Sequence, residues 1–249
     1  MMMKKLVTGS LLALASAGVF AGPPSDCPVT YDQLKSALTT AIGANNGGLS
    51  FDMWGTVVNK DGRICAVAST GEKLNDQWLA SRVISAQKAY TAASLANNKG
   101  SFGTAANTSF AFTTAGLYLA TQPGGSLWGL QFSNPVDPSS AYAGNQSKFG
   151  SKNDPMVGKR VGGNNVFGGG LALFDANDQL VGGLGVSGNT SCADHNIAWR
   201  TRNTFVSLKL AQGPGSEVNI DYVAGYPDCG QGEAGIWALI KNSLPQRFQ

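Results

Sequence analysis

The chain is poor in charge and poorer still in histidine. Lysine, arginine, aspartate and glutamate make up 13% of it, and it carries a single histidine, His195. The formal net charge of +3 supplies no long-range field for a polyanion, and no basic stripe is interleaved with aromatics. Nucleic acid is therefore not an expected partner. One histidine and the absence of any Cys-x-x-Cys spacing argue against a zinc site. The Gly-x-Ser-x-Gly nucleophile elbow is missing too: Ser187 stands in Gly185-Val186-Ser187-Gly188, and Asp194 and His195 are too close in sequence to suggest a triad. Gly168-Gly169-Gly170 precedes a strand instead of opening a helix, so it is no phosphate cradle. No hydrolase signature survives, although carboxylate pairs stay open because any two acids can meet in space.

Long apolar runs are also lacking beyond the start of the chain. There, Lys4 and Lys5 precede an uncharged stretch from Leu6 to Phe20, and Val19-Phe20-Ala21 offers small residues where a signal peptidase reads. The stretch is shorter than the roughly 20 residues a membrane-spanning helix needs. The expectation is a signal peptide over residues 1–21, cleaved after Ala21, and a periplasmic or secreted product not inserted in a membrane. What remains, residues 22–249, reads as a single domain with an insertion at about 122–168 and an extension from about 212. The four cysteines all fall in that mature part. An even count in an oxidising compartment reads as two disulfides with three possible pairings. The preferred one joins Cys192 to Cys229, tying down the extension, and Cys27 to Cys65, tying the first helix to a strand.

Thr30-x-x-Gln33 is a capping box, and Leu34, Ala37, Leu38 and Ile42 share one helical face behind it. Asn46-Gly47-Gly48 ends that helix. Leu49 to Val58 and Arg63 to Ser69 read as strands around Lys60-Asp61-Gly62. Asn75 is positioned to cap a long helix through Ala96, and a further helix is predicted from about Ser109 to Thr121. Nearly fifty residues rich in Gly, Asn, Ser and Pro follow, a length of loop that tends to be functional. Gly170 to Phe174 and Leu180 to Val186 form a second pair of strands. A helix is expected from Asp194 to about Lys209, and a short one from Glu233 to Asn242. Hairpins between helices predict an α+β fold, an antiparallel sheet with helices packed on one face.

Four stretches together resemble the GlcG/HbpS-like haem-binding family, often labelled a haem-degrading domain. They are Val57-Val58-Asn59-Lys60-Asp61-Gly62-Arg63, Ala86-Gln87-Lys88-Ala89-Tyr90-Thr91-Ala92, Gly168-Gly169-Gly170-Leu171, and Gly183-Leu184-Gly185-Val186-Ser187-Gly188 followed by Asp194. Their order and spacing match across about Leu49 to Arg202. The resemblance implies a profilin-like GlcG/HbpS-type fold, haem or a related tetrapyrrole as ligand, and assembly as a homo-oligomer. The signal peptide, the cysteines, the middle insertion and the C-terminal extension depart from the shorter members.

The resemblance also places Lys88 and Thr91 at the border of a ligand pocket, with Lys88 paired to a haem propionate. The bland alternative is a Lys88 that reaches solvent and a Thr91 that packs on the sheet. His195, beside Asp194 at a helix start, is a candidate ligand of haem iron through a neutral imidazole; otherwise it bonds a loop carbonyl and fixes the helix start. Arg200 and Arg202 are further propionate candidates or a solvated helix face. Met53 and Met156 are weak axial candidates, better read as core. Trp54, Phe167 and Trp199 are expected around an apolar pocket. Haem binding is the leading expectation. A non-catalytic multimeric assembly protein, or an enzyme acting on haem or a small metabolite, are the rivals.

Overall fold

The capping box at Thr30 forms in the computed structural model, which describes residues 22–98, 109–212, 216–244 and 246. Thr30 Oγ1 accepts from Gln33 N at 3.3 Å and Gln33 Oε1 accepts from Thr30 N at 2.8 Å, starting α1 (Tyr31–Ile42). Next come β1 (Trp54–Asn59), β2 (Ile64–Ser69), α2 (Ser81–Ser94), β3 (Ala96–Asn97) and β4 (Phe110–Phe112). The one-turn helices α3 (Leu130–Ser133) and α4 (Pro138–Ala141) lie in the long middle segment. β5 (Gly170–Phe174), β6 (Leu180–Ser187), α5 (Ser191–Phe205), β7 (Ser216–Val218) and α6 (Glu233–Ser243) complete the order. The predicted signal segment lies outside the described residues.

The main sheet runs β2-β1-β6-β5 with every pairing antiparallel. The fold is α+β, but the helices cover both faces of this sheet, not one. On one face Val57, Leu184 and Val186 pack with Leu34 and Leu38 of α1 and Ile197 and Ala198 of α5. On the other, Val58, Ile64 and Val67 pack with Ala86, Ala89 and Ala93 of α2. β1 and β2 are buried at every position. Their unbroken burial, in place of in-out alternation, is the mark of a sheet sandwiched on both sides.

Glycine sets how close α2 comes. A Cβ on Gly185 would run into the carbonyl of Ser85 and stand 2.5 Å from Ala89 N; one on Gly183 would reach Ala93 N at 3.1 Å. Thr56, opposite Gly185 on β1, meets Ser85 Oγ at 2.7 Å. The helix backbone therefore rests directly on the strand.

Other expectations shift. α2 starts at Ser81, not at Asn75. The carboxylate of Asp76 accepts from Lys73 N at 2.7 Å and its carbonyl accepts from Asp52 N at 3.2 Å, which holds the preceding segment as a turn. No helix covers Ser109 to Thr121. Phe110–Phe112 is a strand that pairs with β3 and, in parallel, with β7 about a hundred residues away, followed by turns and one 3-10 turn at Leu119–Thr121. Nothing local announces such a partner. The middle segment is folded against α2: Arg82 forks onto the Asp154 carboxylate, donates to Ala141 O at 3.0 Å and lies 3.6 Å over the Phe149 ring. Disulfides join Cys27 to Cys65 and Cys192 to Cys229, the preferred pairing.

Gly185→Ala is expected to lower the unfolding free energy by about 2–3 kcal/mol, because strand and helix backbones must separate to admit a methyl group. Urea unfolding of the purified protein checks it, with Gly235→Ala, at an exposed position of α6 where an added Cβ meets nothing within 4 Å, as the comparison.

Candidate functional site

Lys88 leaves the middle of α2 and ends fully buried among oxygen atoms. Its Nζ donates to Val186 O at 3.0 Å, to Ser187 Oγ at 3.2 Å and to Asp194 Oδ2 at 2.6 Å. All three ammonium protons are thereby used. Asp194 stands in the first turn of α5, where the helix dipole favours an anion, and its Oδ1 accepts from Asn189 N at 2.9 Å. Thr190 caps that helix by accepting from Ala193 N. The lysine and the aspartate belong to helices on opposite faces of the sheet, so they meet around its end. Gly169 makes the passage possible. It holds φ +116°, and a Cβ there would lie 3.3 Å from Lys88 Nζ and 3.2 Å from Asp194 Cβ while striking Val186 O. Burial lowers the pKa of Lys88 and pushes Asp194 up to about 6, each against the pull of its partner.

Thr91 sits one turn further along α2, also buried. Its hydroxyl donates to Gln87 O at 2.8 Å and accepts from Asn165 N at 3.0 Å and Asn164 Nδ2 at 3.2 Å. It anchors the end of the middle segment.

His195 faces the C-terminal segment. Its Nε2 is 2.7 Å from Asn219 Oδ1, its ring lies edge-on to Trp237 at 4.9 Å, and Trp199 stacks beyond at 6.4 Å. The ring is wholly buried, and among the described residues Nδ1 has no hydrogen-bond partner. Burial pulls the imidazole pKa down to about 3, so it is neutral. Tyr226 closes the same region, donating to Ser191 Oγ at 3.1 Å and accepting from Gly168 N at 3.0 Å.

Beside this wall runs a groove of about 880 Å³, within the range of ligand sites. Trp199, Trp237, Tyr222 and Ile220 supply its apolar lining, with Asn219 and Lys241 among its polar groups. A second cavity of about 310 Å³ shares Asn219, Ile220 and Asp221 with it.

The four expected site residues thus do not converge on one cavity. Lys88 and Asp194 make a closed polar knot, Thr91 holds the middle segment, and His195 backs the groove without lining it. Arg202 is buried against the Glu217 carboxylate at 2.6 and 2.9 Å, and Arg200 donates to Asn46 Oδ1 at 3.0 Å, so neither is a free helix-face cation. Met53 and Met156 are core residues on opposite faces of the sheet. Of the aromatics, Trp54 is core, Phe167 is part-exposed and Trp199 walls the groove.

The family model described as haem degrading protein HbpS-like matches residues 33–202, well over half of the chain. The chain belongs to the HbpS-like family. No curated protein matches it. Among solved structures, protein ORFY of Klebsiella pneumoniae is 23% identical, covering 80% of this chain and 99% of its own, with a TM-score of 0.46. A structure titled PduOC–haem complex is 24% identical, covering 68% of this chain and 87% of its own, with a TM-score of 0.41.

The HbpS-like match ends at residue 202, and that limit divides the site. Lys88, Thr91, Asp194 and His195 lie inside it; Asn219, Tyr222, Tyr226, Trp237 and Lys241 lie beyond it. Sequence reasoning missed those five. The signal that would have found them is the preferred Cys192–Cys229 bridge, which seats an aromatic-rich tail three residues from His195.

Lys88→Met should cost about 3–5 kcal/mol in urea unfolding, because the Asp194 carboxylate is left buried without its partner, and adding Asp194→Leu should recover most of the loss.

Proposed function

We propose that this HbpS-like protein is an exported tetrapyrrole-binding protein that takes haem in the groove beside His195. The observation that carries the reading is the groove itself: about 880 Å³, walled by two indoles and a phenol, with the chain's single imidazole packed behind its lining residues Asn219 and Trp237. A flat apolar macrocycle needs such walls, and its carboxylates need a cation at the rim. Trp199 and Trp237 would hold the ring, Lys241 a propionate and His195 the iron.

The residues present fit that group in a further respect. His195 Nδ1, Trp199 Nε1 and Tyr222 Oη are all buried without a hydrogen-bond partner, and the two aromatic groups line the groove while His195 packs behind it. Buried polar atoms without partners are uncommon, and three of those among the described residues gather at this wall, which supports a ligand site there. Bound haem would supply a redox-active iron. The chain's own residues exclude water, through the indoles, and offer a neutral imidazole.

Export is supported by two disulfides, which persist in oxidising compartments. Among the described residues no helix is long and apolar enough to cross a membrane. Cleavage after Ala21 would leave residues 22–249 as one unit. A homo-oligomer is proposed as well, on the strength of the Trp128–Phe132 aromatic pair, exposed at 56% and 76% on the middle segment.

Titration of hemin into the purified mature protein is expected to give a saturable Soret band with quenching of tryptophan fluorescence. Trp237→Ala should raise the Kd about tenfold or more. Absence of both signals in the wild-type protein overturns the haem reading.

A further inference from the structure

An asparagine presents either its oxygen or its nitrogen to a neighbour, and at the half-buried Asn219 the surroundings decide which. Its Nδ2 donates to Glu217 Oε1 at 3.2 Å. Its Oδ1 accepts from the backbone of Ile220 at 2.8 Å and faces His195 Nε2 at 2.7 Å. Glu217 cannot release the amide easily, because both its oxygens are held by Arg202 at 2.6 and 2.9 Å. Arg202 in turn donates to Gln246 Oε1 at 3.0 Å and to Ala172 O at 3.2 Å. The order of donors and acceptors is therefore set from the arginine outward. With the amide nitrogen committed to a carboxylate and the oxygen turned to the ring, His195 Nε2 must be the donor. The proton sits on Nε2 and the lone pair on Nδ1, which has no partner among the described residues.

One imidazole nitrogen is thus capped and the other enclosed. The capping atom belongs to a residue that also lines the groove and the smaller cavity beside it, so Asn219 stands between His195 and both spaces.

We propose that Asn219 is the positioning residue that decides whether His195 can serve the groove: bonded as it is, it fixes the Nε2–H tautomer and covers Nε2, and turned aside it exposes that atom. The proposal rests on the groove being the haem site. For Nε2 to present a lone pair, its proton must pass to Nδ1, where no donor among the described residues stands in its way, at the cost of a buried N–H without an acceptor. Because Asn219 lies outside the matched residues 33–202, this control belongs to the chain's own C-terminal segment. The wider reason is familiar from metal sites, where the hydrogen bond on one ring nitrogen selects the atom left for the metal.

A single histidine makes the test direct, since ¹⁵N spectra of the labelled protein contain one imidazole. The wild-type protein without hemin is expected to show a protonated Nε2 and an unprotonated Nδ1. Asn219→Ala should move the proton wholly or partly to Nδ1. It should also tighten hemin binding about five- to tenfold, the equivalent of one net hydrogen bond no longer displaced, with a histidine-ligated spectrum that His195→Ala removes. Asn219→Leu, which fills the space without an acceptor, should shift the tautomer in the same way and guards against a collapse peculiar to alanine. A proton on Nδ1 in the wild type, or an unchanged tautomer in both variants, overturns the proposal. If the tautomer shifts as expected and no form binds hemin, the haem reading falls while the hold of Asn219 on the imidazole stands.

Discussion

Two charges taken wholly out of water must find each other, and here Lys88 and Asp194 do so around the end of the sheet at 2.6 Å. One comes from the helix on the first face, the other from the first turn of the helix on the second. The pair acts as a bolt that ties the two helical layers together at the end of the sheet. Desolvation makes such a pair costly, so its geometry has to be complete. Val186 O, Ser187 Oγ and Asn189 N supply the remaining bonds. The glycine run at 168–170 follows from the same demand, because any side chain at Gly169 would occupy the space the ammonium crosses. That run and the turn Gly188-Asn189-Thr190 are two halves of one packing arrangement.

The bolt also bears on where His195 points. With Asp194 drawn inward, the next residue, about 100° further round α5, faces the C-terminal segment. That segment is tied on by Cys192–Cys229, by Thr190 Oγ1 donating to Glu233 Oε1 at 2.6 Å and by Arg202–Glu217. Each tie lands on α5 or its cap. The HbpS-like portion thus provides a scaffold and one imidazole, and the tail beyond residue 202 supplies the indole, phenol and amide that stand between this imidazole and the groove. A shared fold hosts different sites through such additions.

Several parts of this arrangement are legible from residues alone, for definite reasons. Thr30 and Gln33 predict a helix start because both halves of the capping box lie within one turn. Lys60-Asp61-Gly62 predicts a hairpin because Gly62 can adopt positive φ, and here it does so at 75°. The cysteine pairing is accessible because four cysteines leave only three choices. The knot at Lys88 was less legible: a lysine three residues before a threonine on a helix face suggests a border between protein and ligand, and only the packing of α2 onto Gly183 and Gly185 carries that face inside.

What the sequence by itself determined are the features whose physics closes within a few residues: caps, the two hairpins, the strand runs of β5 and β6, and the small set of disulfide choices. Only the tertiary structure decided that helices cover both faces of the sheet, that Phe110–Phe112 is a strand paired with Ser216–Val218, and that Asn219 covers the imidazole. Each of these depends on which distant segments meet, and that is settled by the summed burial and hydrogen bonding of the whole chain against the entropy of closing long loops. No local pattern carries that sum.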